Sequence, residues 1–596
     1  MSMIRALPLA ALLASLLLGG CQQATEPAQK AEPAAQATNA AADQGAAWEA
    51  AVDGFINSYF EHYPTFAANA GKHEYDGRLP DYAPASLAAT ANWLHAQRDA
   101  IAAFGDDRLD VQQRFEREYV LAVIDAQLFT FEDSGFPYNN PAFYAGDLSP
   151  SMYLTRPYAP LAQRMAAFVA YQEALPKAIE QIRANMKTPL PASYVDLGIN
   201  TFAGYSSFFA KDVPAIFTDV HDDALQARFK VSNAAAVQAT RDMADWYTAQ
   251  KPTATGNFAL GAEKFSKMLH ASERVDIPLD KLKAMGEADL SRNLESLKSA
   301  CHDYAPDKSL EQCMLKVGDD KPVGGAVEGA RKQLTTLRQF LVDKDLVTIP
   351  GTEEAMVEEA PPFNRWNFAY IEIPGPYETN LPSTYYIAPP DPTWPKAEQD
   401  AYVPGRDVLL FTSAHEVWPG HFLQFLHANR AKWTFGRLFV GYAYAEGWAH
   451  YTEEMMFDAG LENGSPEAHI GQLSEALLRN VRFLSAIGMH TGTMTMAESE
   501  KMFREQGFQD PGNARQQAAR GTYDPGYLNY TLGKLMIMQL REDWTATHGG
   551  RAGWKAFHDE FLSYGGPPVP LVRAQMLGSK PEAVLWQAPS LGPPAH

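Results

Sequence analysis

Stretches at 48–63, 86–104, 109–132, 161–186, 234–250 and 279–299 repeat apolar residues every three or four positions, the period of an α-helix with one buried face. Period-two alternation is confined chiefly to 367–373 and 384–388, with proline and glycine on either side, as for a small sheet or hairpin. The sequence therefore predicts a mainly α fold with a small β-sheet beside the helix that carries the chemistry. Ser86 and Asp110 stand where helix N-caps belong. The tail 565–596, rich in proline and glycine, reads as irregular. With 596 residues, 46% of them hydrophobic, the chain can bury a large core, and no composition shift divides 47–596, so this body is predicted to be one domain. Against 71 acidic residues stand 50 basic ones, a formal charge of −21. That field disfavours nucleic acid and bare anionic membranes as partners.

Arg5 precedes an apolar stretch from Ala6 to Leu18, too short to cross about 30 Å of hydrocarbon and suited to a signal-peptide core. It ends in Leu18-Gly19-Gly20-Cys21, which resembles a bacterial lipobox. The expectation is a signal peptide at 1–20, lipidation of Cys21, and a disordered tether over 21–46, which is rich in Ala, Gln, Pro and Glu. The membrane is then met only through a lipid anchor. Gln22 after the cysteine favours, by that resemblance, the periplasmic face of the outer membrane. In an oxidising envelope compartment the two remaining cysteines, Cys301 and Cys313, are expected to form a disulfide.

The most specific string is His415-Glu416-Val417-Trp418-Pro419-Gly420-His421. Histidines at i and i+4 on a helix aim both imidazoles at one metal, with the glutamate beside the first as base. Six positions apart, they diverge on an undisturbed helix by about 120° in azimuth and about 9 Å along the axis. Pro419 and Gly420 offer the remedy: a bulge at this point brings His421 back under His415. A second helical pattern, 438–458, holds Glu446 and Glu453. In an antiparallel pair turning near 432–436, Glu446 falls level with His421 and Glu453 with His415. Glu446 is the favoured third ligand, and Glu453 either supports His415 or competes for the metal. Two histidines, one carboxylate and an open fourth position suit one Zn2+ ion. A di-iron bundle needs Glu-x-x-His, and Ala449 stands three after Glu446.

The strings HEVWPGHFLQ, EGWAHYTEEM, GMH at 488–490 and RGTYDPGYLNYTLGK at 520–534, behind the lipoprotein signal, resemble the bacterial family known as domain of unknown function 885. The resemblance covers roughly 364–544 and, more loosely, the helical N-terminal half. That family is similar to mainly helical gluzincin metallopeptidases of the neurolysin and angiotensin-converting-enzyme type. The resemblance implies a zinc-peptidase-like fold, a zinc site of His415, His421 and Glu446, and Glu416 as general base. Tyr530 is the expected donor to the oxyanion, with Lys534 one turn on along the same helix face. His490 is a further candidate site residue. Tyr385 and Tyr386, on a presumed edge strand, are expected to border a peptide substrate that adds to that edge. Tyr523, Tyr527 and Arg541 are secondary candidates, with a solvated face or buried ion pair the plainer role for Arg541.

Other hydrolase signatures are missing from the sequence. No Gly-x-Ser-x-Gly elbow occurs, and Leu528 stands where a phosphate-binding loop ending in Gly533-Lys534 needs glycine. The sequence therefore predicts a zinc metallopeptidase of the cell envelope acting on peptides, short ones first. The alternatives are a binding lipoprotein that holds peptide or metal without turnover, and a metal-dependent amidase acting on a non-peptide amide. Glu416 separates the first two, since a binder needs no base beside its ligands.

Overall fold

A computed structural model describes residues 34–361, 365 and 368–588. The expected signal peptide, Cys21 and the first part of the expected tether lie outside these residues. The remainder of that tether, 34–46, is helical and opens α1 (Ala34–His62), which corrects the expectation of disorder there. An alanine-rich stretch offers little surface to pack, but alanine also has the highest helix propensity. The chain divides into residues 1–47 and a body of 48–596.

Helix accounts for 70% of the protein and strand for 3%, so the fold is mainly α, as the periodicity predicts. After α1 come α2 (Val111–Leu128), α3 (Leu161–Asn185), α4 (Ala192–Lys211), α5 (Asp223–Gln250), α6 (Leu279–Tyr304) and α7 (Ala326–Lys344). The strands β1 (Ala355–Glu359), β2 (Ala369–Glu372) and β3 (Ser383–Ile387) follow. The site is then built from α8 (Arg406–Glu416), α9 (His421–Ala428), α10 (Tyr442–Asp458), α11 (Pro466–His490), α12 (Pro511–Tyr523) and α13 (Asn529–Thr545). A last helix, α14 (Val569–Leu577), occupies the tail expected to be irregular. Its Pro570 falls in the first turn, where a missing N–H costs nothing.

Asp110 caps α2 in a full capping box with Gln113. Ser86 does not cap its helix, which begins two residues earlier at Pro84; a proline in the first turn pre-sets the helical φ. The aromatic faces of α3, α4 and α5 bury Phe168, Phe209, Phe229 and Tyr247 in one core. A larger core, drawn from Phe129 and from 265 to the tail, encloses the α8 to α13 cluster. Cys301 of α6 and Cys313 are joined in a disulfide, with Cα atoms 5.8 Å apart. Among the described residues no helix is long and apolar enough to cross a membrane.

The sheet has the order β1-β3-β2, with β1 parallel and β2 antiparallel to β3. Tyr385 pairs with Val357 on one side and Ile371 on the other. Tyr385 and Tyr386 thus lie on the central strand, which corrects the expected edge position. Both hydrogen-bonding sides of β3 are taken, so a peptide can add only to β1 or β2.

Two features position the site helices. The α8 segment packs on α11, and α10 packs along α13. The latter pair meets at Gly447 and Gly533, where a Cβ added to Gly533 would stand 1.9 Å from the Ala443 carbonyl oxygen. Backbone-on-backbone contact of this kind is open only to glycine.

Candidate metal centre

The helix carrying His415 stops at Glu416 because the chain loops out over 417–420. The amides of Val417 and Trp418 both return to the Ser413 carbonyl, and Gly420 donates to Ala414 at 2.9 Å. A Cβ on Gly420 would lie 1.7 Å from the His415 carbonyl oxygen, so the bulge requires glycine there. Trp448 of α10 pins it from the side, its Nε1 donating to the Pro419 carbonyl at 2.8 Å. Helix resumes at His421, and the two imidazoles stand 4.8 Å apart between centroids, with planes at 88°. The two additional residues are absorbed in the loop, as the Pro-Gly pair predicts.

Opposite them, Glu446 projects from α10. Its Oε2 lies 3.3 Å from His415 Nε2 and 3.2 Å from His421 Nε2. Among the described residues, His415, His421 and Glu446 are the one group of potential metal ligands whose donor atoms all lie within 4.8 Å of one another. Ligand atoms at about 2.0–2.1 Å from a tetrahedral zinc lie about 3.3 Å apart, which is the spacing found here. Glu446 Oε2 is buried yet makes no well-formed hydrogen bond, and His421 Nδ1 is likewise buried and unpartnered. Three convergent acceptors with an orphaned oxygen among them fit a cation better than a hydrogen-bond network.

Electrostatics agree. Burial pushes the Glu446 carboxyl up, but the facing His421 and His415 more than offset it and hold it well below the usual carboxylate range. Burial and Arg479 oppose a charge on His415, yet the facing carboxylates of Glu446 and Glu453 prevail and raise its pKa to about 9. Both shifts run in the direction that favours positive charge where these groups converge.

Glu453 lies behind His415. Its Oε1 accepts from His415 Nδ1 at 2.7 Å and from Arg479 at 3.1 Å, while Oε2 meets His450 Nδ1 at 3.1 Å. It thereby fixes the His415 ring with Nε2 facing Glu446. Of the two roles open to Glu453 from the sequence, the geometry fits the supporting one. Glu416, half-buried beside His415, has its pKa raised by burial, with His415 and His421 acting against that shift.

Tyr530 reaches the cluster from α13, its ring 6.2 Å from that of His415 and nearly parallel to it. Burial raises its pKa, Glu446 adds to the rise, and Arg520, Arg482 and Arg479 oppose it. Tyr385 is fully buried behind Glu416, which joins burial in raising its pKa. Tyr386 points away and stacks on Tyr370 at 5.2 Å.

Other candidates fall outside the cluster. Lys534 is fully buried, with Nζ 2.5 Å from Glu454 Oε2; the face it shares with Tyr530 is enclosed, and its charge is taken. His490 is buried with Nε2 donating to the Gly521 carbonyl at 2.8 Å and Nδ1 accepting from Leu260 at 3.4 Å. Both of its ring nitrogens are thus engaged by the backbone, away from the cluster. Tyr527 is a core residue, Tyr523 makes a backbone contact to Asn140, and Arg541 joins Glu542 and Tyr451.

Three arginines missed from the sequence, Arg479, Arg482 and Arg520, surround the Tyr530 ring. The available signal was two arginines set in the largely apolar run of α11 from Ala476 to Met489, a burial pattern that charged residues do not adopt without a partner.

These elements define a large helical protein with a two-histidine, one-carboxylate candidate metal centre. The chain belongs to the family described as "Bacterial protein of unknown function (DUF885)", which matches residues 64–576. Two solved structures share its fold. A candidate lipoprotein of unknown function from Shewanella oneidensis is 24% identical, with a TM-score of 0.72, over 88% of this chain and 98% of its own. The candidate lipoprotein from Colwellia psychrerythraea is 16% identical, with a TM-score of 0.76, over 90% and 99%. No curated protein matches the chain.

Proposed function

We propose that this protein is a zinc-dependent peptidase, with His415, His421 and Glu446 as the metal ligands. The observation that carries the reading is the spacing of the three donor atoms, 3.2 and 3.3 Å across Glu446 Oε2, with Glu416 next in sequence to His415 and the Tyr530 ring against the same imidazole. A zinc ion bound there supplies Lewis acidity, acidifying water and polarising a carbonyl. Glu416 takes the proton of the attacking water and delivers it to the leaving amine; its raised pKa suits both halves of that transfer. Tyr530 donates its phenol hydrogen to the oxygen of the carbonyl as charge develops there, a role that a raised pKa preserves. Glu453 keeps His415 in the ligating tautomer.

The mature protein is proposed to be anchored by Cys21 on the periplasmic face of the outer membrane. The lipobox-like string supports this, and both proteins of like fold are themselves described as candidate lipoproteins.

The test is metal analysis of the purified protein with digestion of a short-peptide library by wild type and Glu416→Gln. Zinc at one equivalent in both, with hydrolysis only by wild type, supports the reading. Zinc binding with no hydrolysis by wild type favours a binding lipoprotein, and equal hydrolysis by both forms removes Glu416 from the mechanism.

A further inference from the structure

This inference rests on the peptidase reading and concerns what the site holds beside the metal. The guanidinium carbons of Arg479, Arg482 and Arg520 lie 5.7, 4.8 and 6.0 Å from the Tyr530 ring centroid. Two of them are neutralised: Arg479 by Glu453 and Glu475, and Arg520 by Asp524. Arg482 differs. Its Nε donates to Gln517 Oε1 at 2.9 Å, and among the described residues its guanidinium makes no ion pair with a carboxylate. It is only 8% exposed. Buried charges are ordinarily paired, because an isolated one forfeits its hydration without return. Burial, with Arg520 and Arg479, disfavours its charge and outweighs the opposing influence of Tyr530 and Tyr442.

The position of this cation says what would complete it. The His415 and Tyr530 rings are 6.2 Å apart, and the Arg482 guanidinium is 4.8 Å from the Tyr530 centroid, so it lies at most about 11 Å from the ring of a metal ligand. An extended peptide advances about 3.3–3.6 Å per residue. A carboxylate one to three residues from the scissile bond therefore reaches Arg482, whose terminal nitrogens form the planar fork that carboxylates fit.

We propose that Arg482 is the receptor for a substrate carboxylate, and that the site cleaves peptides carrying that group within about three residues of the scissile bond. The carboxylate is either a free C-terminus, which makes the enzyme a carboxy-directed exopeptidase, or an Asp or Glu side chain.

The test uses zinc-loaded full-length protein and three N-blocked tetrapeptides: an apolar free acid, its C-terminal amide, and an amide ending in glutamate. Wild type is expected to favour one carboxylate-bearing peptide over the plain amide by roughly 10- to 100-fold in kcat/KM. Preference for the acid identifies the C-terminus, and preference for the glutamyl amide identifies the side chain. Arg482→Gln brings the ratio near one, while Arg482→Lys, which keeps the charge, retains part of it. Circular dichroism confirms that the variants compared are folded. A wild-type ratio near one, or a ratio that Arg482→Gln leaves unchanged, overturns the proposal. If none of the peptides is hydrolysed although zinc is bound, the peptidase reading fails by itself. Calorimetry then decides on Arg482: tighter binding of a carboxylate-bearing peptide that Arg482→Gln abolishes supports it, and equal binding of all three overturns it.

Discussion

Gly447 and Gly533 lie backbone against backbone where α10 crosses α13; a Cβ on Gly447 would stand 2.5 Å from Gly533 Cα. Glu446 and Tyr530 project from the two sides of this crossing, so the distance between helices sets the distance between the proposed ligand and the proposed hydrogen-bond donor. Gly533→Ala places a methyl against the Ala443 carbonyl and must push the helices apart. We expect a loss of about 1–3 kcal/mol in stability together with reduced peptide hydrolysis. An unchanged denaturant midpoint would show that the crossing can widen freely.

Glu453 holds His415 Nδ1 at 2.7 Å from within the core. Partners of this kind orient a ligating imidazole, and removing one typically weakens metal binding about 10- to 100-fold. Glu453→Gln is therefore expected to lower zinc affinity by that factor in a chelator competition while leaving one zinc per chain at saturation. Affinity equal to wild type would separate Glu453 from the metal altogether.

The sequence carried the site's long-range logic further than its short-range detail. The bulge could be read from Pro419 and Gly420, because a helix broken there has few ways to continue. The pairing of His421 with Glu446 followed from antiparallel register, even though a short helix, Thr434–Leu438, fills the turn. Lys534 went astray for a specific reason: residues four apart share a helix face, but α13 is buried all round over 529–538, so sharing a face with Tyr530 does not mean sharing its environment. The strand β1 left no trace, since its sequence AMVEE buries Val357 alone, and its partner β3 is distant in the chain and parallel. The central position of β3 was hidden with it. Arg482 belongs to no local motif, and its lack of a carboxylate emerges only once α11, α12 and α13 are brought together.

The disulfide between Cys301 and Cys313 closes a loop with a sequence separation of 12, far from the metal ligands in sequence. For a loop of that size, restriction of the unfolded chain is worth about 3 kcal/mol. The double variant Cys301→Ala/Cys313→Ala should unfold at correspondingly lower denaturant concentration and bind zinc with wild-type stoichiometry. An unchanged midpoint in the double variant would assign the bond no stabilising role.

Two buried histidines make the fold sensitive to acid. His490 donates from Nε2 to Gly521 and accepts at Nδ1 from Leu260. His558 likewise donates from Nδ1 to the Leu346 carbonyl at 2.7 Å and receives the Tyr451 hydroxyl at Nε2, also at 2.7 Å. A second N–H on His490 would face the Leu260 amide, and one on His558 would turn the Tyr451 hydroxyl hydrogen away from the ring within a closed core. Burial lowers the pKa of His490 to about 4 and that of His558 to about 3. The folded protein therefore binds fewer protons than the unfolded chain, whose histidines titrate near 6.5. The stabilisation is complete above about pH 6.5 and is lost progressively as pH falls toward 4 for His490 and toward 3 for His558, with each residue contributing roughly 3–5 kcal/mol. Thermal midpoints of metal-free protein, taken from pH 7.5 down to 4.5, should fall less steeply in His490→Gln and His558→Gln than in wild type. Parallel slopes would mean that protonation of these rings costs the folded state nothing, contrary to the hydrogen bonds they make.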